Sequence, residues 1–178
     1  MKAALALALL GAFSLMLQSS AALWIPARSL PDLGLWVVVG LAVCVRSPVL
    51  GVCLAALIGY VTDLLSGTLL GQHALLCLGA YGVARALSSS FNLRGPLSLA
   101  IFALLLSAMH AVALYGLVAF FARQWLAVPG ALQDLAVHAL ANALAAPFVI
   151  ALVSGVAAWL GDDDSGRPVR LEPRTLAL

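Results

Sequence analysis

The sequence predicts an all-α fold, a polytopic membrane helix bundle of six transmembrane helices with both termini cytoplasmic (N-in and C-in). Three observations carry this. Of 178 residues, 64% are hydrophobic and 9% charged, with a mean hydropathy of +1.12, whereas soluble domains carry about 25% charged residues. Six apolar stretches alternate with short polar or proline-bearing breaks, and the basic residues gather at one set of those breaks. At roughly 20 to 25 residues per span the bundle uses up the chain, so any function resides in the helices, their loops or a short tail.

The stretches run approximately over 3–25, 33–45, 49–65, 72–87, 97–122 and 132–160. The first has two readings. Lys2, an apolar run and Ser20-Ala21-Ala22 resemble a signal peptide, whose removal leaves five helices. A retained helix is favoured by the length of the run and by Trp24, a suitable interfacial anchor. The second stretch is too short to cross a core of about 30 Å squarely, and is expected to be short, tilted or partly re-entrant. Arg46-Ser47-Pro48 ends it, Ser66 to Gly71 separates the third from the fourth, Ser88 to Pro96 precedes the fifth, and Arg123 to Gly130 precedes the sixth. The bundle thus occupies 1–160, and 161–178, with mixed charge and two prolines, is expected to be a disordered cytoplasmic tail.

Orientation follows from Lys and Arg. With the N-terminus inside, Lys2, Arg46, Arg85, Arg94, Arg167, Arg170 and Arg174 lie on the cytoplasmic side, against Arg28 and Arg123 outside. Asp162 to Asp164 offset the basic residues of the tail, so it does not read as a lipid-binding patch.

A net charge of +2 without a basic stripe argues against nucleic-acid binding. Cys44, Cys53 and Cys77 are odd in number, form no Cys-x-x-Cys pair and read as small buried hydrophobes. Ser66, Ser107 and Ser154 lack a nucleophile setting, and phosphate-binding loops are absent, so the chain reads as a non-enzyme with no cofactor. His73, His110 and His138 fall on three different helices without a His-Glu-x-x-His pattern, which argues against a metal site. His110, with Ser107 three residues earlier, reads as a packing histidine.

Two polar groups stand out, because polar side chains at membrane depth need partners. The run from Gly59 to Leu75 holds Asp63, Ser66, Gly67, Gly71 and His73 between two apolar segments. It fits a turn in which Asp63 accepts hydrogen bonds from backbone N–H groups two or three residues on, or a charged contact with a partner. Asp134, His138 and Asn142 recur every four residues and form a stripe that should face protein. Interhelical hydrogen bonding, a proton path and a ligand site all fit it. Pro147 is expected to break that helix one turn further on. Small-residue spacings, Gly51/Ala55/Gly59 and Ala4/Ala8/Ala12, point to close helix approach.

Three of these stretches resemble the bacterial rod-shape-determining MreD family: Pro31-Asp32-Leu33, the Gly59 to Leu75 run as G-x-x-x-D-L-L-S-G-x-x-L-G-x-H-A-L, and Asn142 to Pro147 as N-x-x-x-x-P. The second is the most specific. The resemblance implies a non-catalytic inner-membrane subunit of the cell-wall elongation complex. Its implied partners are MreC, a one-span periplasmic protein, and through it MreB, RodA and a class B penicillin-binding protein. It implies no agreed set of functional residues. A competing reading is the substrate-binding subunit of an energy-coupling-factor vitamin transporter, whose Ala-x-x-x-Ala helix Ala4, Ala8 and Ala12 resemble. That reading calls for an outer cavity with convergent polar groups and aromatic lining, for which Trp24, Trp36 and Trp125 are available.

Overall fold

A computed structural model describes residues 2–67, 70–90, 96–122 and 130–160. Expectations for Arg94, Arg123, Trp125 and the tail at 161–178 lie outside the described residues. Among these residues the chain forms six helices and no strand: α1 (Lys2–Ala21), α2 (Leu33–Cys44), α3 (Pro48–Ser66), α4 (Gln72–Ser90), α5 (Pro96–Ala122) and α6 (Ala131–Trp159), with a 3-10 turn at Ala27–Ser29. Four are long and apolar enough to cross a membrane: α1, α3, and the stretches Ser98–Phe121 of α5 and Leu132–Trp159 of α6. The protein is therefore a multi-pass helical membrane bundle. Many large apolar side chains, among them Leu5, Leu9, Phe13, Phe120 and Phe148, are exposed and suit lipid as a solvent.

The shortest helix is the centre of the bundle. α2 has 12 residues, about 18 Å at 1.5 Å per residue, and it packs against α1, α3, α4 and α6. Residues 34–42 are buried without interruption, as expected of a helix that is apolar all round. Because α2 is shorter than a bilayer core, its two ends lie inside the bundle. The unpaired N–H and C=O groups of those ends must find partners in protein.

At its C-terminal end they find Arg85. This α4 guanidinium donates to the carbonyls of Ala42 at 2.9 Å and Val45 at 2.8 Å, and at 3.5 Å to that of Arg46. The chain then turns at Ser47, whose hydroxyl accepts from the Leu50 N–H, with Pro48 as the first residue of α3.

α3 and α4 form a tight antiparallel pair, and the small-residue spacing in α3 explains why. A Cβ on Gly59 would lie 2.5 Å from Ala74 Cα and 2.7 Å from the His73 carbonyl oxygen, and one on Gly51 would collide with the Tyr81 ring. Ala55, between them, is fully buried.

Three expectations are corrected. Pro147 does not break α6, which is continuous from Ala131 to Trp159; packed helices around a membrane-embedded proline support the backbone it frees. Cys53 is exposed, although Cys44 and Cys77 are buried, and none forms a disulfide. In the Ala4/Ala8/Ala12 set, expected to mark close helix approach, Ala8 packs on the core while Ala12 is exposed, so only part of the set meets a neighbouring helix.

Candidate functional site

The polar residues concentrate in one half of the bundle, at the end where α1 and α3 finish and α2, α4 and α6 begin. They form two adjacent structures. The first is the α3–α4 turn. α3 ends on Gly67 with φ 63°, in the left-handed region that glycine enters without strain, and its N–H donates to the Asp63 carbonyl at 3.1 Å. Gly71, at φ 92°, redirects the chain into α4. The Asp63 side chain, 1% exposed, spans the turn. Its Oδ2 accepts from the N–H of Gly71 at 2.9 Å and Ala74 at 3.3 Å, and its Oδ1 from the N–H of His73 at 2.8 Å. The His73 ring Nδ1 lies 2.9 Å from the same Oδ1.

A carboxylate from the end of one helix thus caps the start of the next, satisfying N–H donors and opposing the positive end of the α4 dipole. The expected span of two or three residues was too short: the acceptor and its donors are 8 to 11 residues apart. Ser66 donates to the Thr62 carbonyl at 2.7 Å on the exposed side of α3.

The second structure holds the N-terminal end of α2. Asp32 is its N-cap, with Oδ1 accepting from the Leu35 N–H at 3.0 Å. Gln18 of α1 reaches across, its Oε1 accepting from the Leu33 N–H at 2.9 Å and the Gly34 N–H at 3.4 Å. Asn142 of α6, fully buried, accepts through Oδ1 from the Asp32 N–H at 2.7 Å and the Trp36 indole N–H at 3.0 Å. Its amide donates to Ser107 Oγ of α5 at 2.7 Å. One side chain therefore ties α2, α5 and α6 together, with every polar atom used.

The α6 stripe takes three environments. Asp134 is half exposed and lies 3.7 Å from Arg28 of the 3-10 turn. His138 is partly buried, and Asn142 is the buried hub just described. Sequence reasoning linked these three to one another but missed Gln18, Trp36, Ser107 and the capping roles of Asp32 and Arg85. Gln18 and Arg85 carried a readable signal as long polar side chains within apolar stretches. The Asp32 cap is local, three residues from Leu35, whereas Trp36 and Ser107 meet Asn142 across 106 and 35 residues and gave no such signal.

Between the two structures lies a cavity of about 480 Å³. All three histidines of the chain, His73, His110 and His138, line it, with Gln18, Asp32 and Asn142 among the other walls. His110 Nε2 is 4.0 Å from Asp32 Oδ2. The histidines do converge, although they sit on three helices. Among the described residues no group of three His, Cys, Asp or Glu side chains is arranged to hold a metal ion. A second cavity of about 480 Å³, mostly apolar, adjoins the first between α5, α6 and Arg28, and shares Ala111, Tyr115 and His138 with it.

No family model matches the chain, and no curated protein or solved structure is significantly similar to it.

Proposed function

We propose that the protein is a non-catalytic membrane scaffold of the MreD type in a bacterial inner membrane. In this reading it holds a one-span periplasmic partner, MreC, within the cell-wall elongation complex that includes MreB, RodA and a class B penicillin-binding protein. The reading rests on the three resembling stretches, and one observation adds weight to it. Pro31-Asp32-Leu33 and Asn142, 110 residues apart, are bonded to each other, and the Gly59 to Leu75 run braces the adjoining helix pair. The letters that carry the resemblance are those that the architecture uses. Asp63 and His73 serve as braces here, which leaves the partner contact to the neighbouring exposed surface.

The test is co-purification of the full chain with the MreC protein of the same genome, alongside cell shape after depletion. Retained partner and rounded cells are expected. Normal rods on depletion, with no partner retained, would remove the scaffold reading.

The transport reading has one observation in its favour, the polar cavity. Of the aromatic residues expected there, neither described tryptophan lines it, since Trp24 is exposed beyond the end of α1 and Trp36 is buried against Asn142; Tyr115 is the aromatic wall residue among the described residues. Co-purification with ATPase subunits would favour it over the scaffold.

A further inference from the structure

We propose that the two adjoining cavities form one binding site for an anionic amphiphile, with a phosphate-bearing headgroup among the polar side chains of the first cavity and its chain along the apolar wall of the second. The site goes beyond the scaffold reading and does not rest on it.

Few acceptors in the wall of the first cavity remain available. Acceptors are mostly committed to the α2 end: Gln18 Oε1 to Leu33, Asn142 Oδ1 to Asp32 and Trp36, and Asp32 Oδ1 to Leu35. What remains is largely donors. The Gln18 amide N–H groups are left over once its oxygen is committed. Ser107 Oγ accepts from Asn142, which leaves its own proton to give. His138 lines both cavities and has no hydrogen bond or ion pair among the described residues. Gln18, Ser107 and an imidazole able to present a ring N–H together suit an acceptor-rich group such as a phosphate. The uncommitted oxygen of Asp32 is turned toward His110 at 4.0 Å, and Asp32 sits on the positive end of α2, which offsets its repulsion of an anion.

The second cavity supplies the rest of the ligand. It is walled by Ala111 and Val112 of α5 and Leu132 and Leu135 of α6, with Arg28 and Asp134 as its charged groups. Because Ala111, Tyr115 and His138 belong to both cavities, a molecule seated there meets the polar side chains of Gln18, Ser107 and His138 at one end and the apolar side chains of Val112, Leu132 and Leu135 at the other. Each cavity falls within the roughly 300 to 1,000 Å³ typical of ligand pockets. A free anion would leave the apolar half unfilled, and an uncharged lipid would leave the donors unanswered.

Native mass spectrometry of the full chain in a neutral detergent tests this, with phosphatidic acid as probe and phosphatidylcholine and inorganic phosphate as comparators. One phosphatidic acid retained per chain is expected, in preference to phosphatidylcholine. His138→Leu, which removes a donor from the shared wall, should weaken retention about tenfold. Ala111→Phe, which fills the junction, should weaken it at least as much while leaving the donors in place. The proposal is overturned if phosphatidylcholine is retained equally, if inorganic phosphate alone binds as tightly, or if both variants, folded by thermal melt, retain phosphatidic acid like the parent.

Discussion

The Asp63 carboxylate receives both the backbone N–H and the ring of His73, at 2.8 and 2.9 Å, so one residue of α3 fixes where α4 starts and how its first side chains point. Asn keeps the shape of this carboxylate but presents an N–H₂ where only acceptors fit. Asp63→Asn is therefore expected to destabilise the bundle by about 2 kcal/mol, with Asp63→Ala at least as costly. Thermal melts of the purified variants decide it. An unchanged melt for Asp63→Asn would mean that the charge acts on something outside the chain.

Close approach of α3 to α4 makes a second prediction. Gly59→Ala must push Ala74 away, at a cost of about 1 to 3 kcal/mol. Gly116→Ala in α5 meets open space and should be neutral or stabilising by up to about 1 kcal/mol. The pair separates crowding from helix propensity in a single SDS unfolding series.

Asn142→Leu leaves the Asp32 and Trp36 N–H groups without acceptors in a buried site. A loss of about 3 kcal/mol is expected, against about 1 kcal/mol for Trp36→Phe, which removes one donor and strands nothing. In the double variant the two losses should sum to less than their parts. Strict additivity would show that the indole and the amide do not act as a unit.

In the sequence analysis Arg85 entered as a topology charge, not as a cap. If its work is to cap α2, Arg85→Lys keeps the charge but not the planar fork, and stability should fall by about 1 to 2 kcal/mol with orientation unchanged. Cysteine-labelling accessibility reports the orientation and melting reports the stability. Full stability in the Lys variant would return Arg85 to its topological role alone.

The helices were readable because each apolar stretch is bounded by residues with a backbone reason to stop it, such as Pro31 before α2, Ser47-Pro48 before α3 and Gly67 after it. The Asp63 to His73 cluster was readable as a turn for the same reason. What periodicity does not encode is which helix lies at the centre. α2 is apolar on every side, and nothing in its twelve letters distinguishes a lipid-facing segment from one enclosed by four neighbours. Asp32 and Asn142 could be paired only by the fold, and the three histidines, spread over α4, α5 and α6, meet around one cavity because α5 packs against both α4 and α6.

The capping of α2 has a consequence for how the protein is made. Its C-terminal cap, Arg85, is synthesised soon after it, but Asn142 emerges from the ribosome 110 residues after Asp32. Until α6 arrives, the start of α2 holds only its contacts with Gln18 and with its own Asp32. Maturation is therefore a late step in which the last helix closes around the second. Nascent chains that stop short of residue 142 should be held by insertion factors or cleared by membrane proteases, even though they already contain five of the six helices.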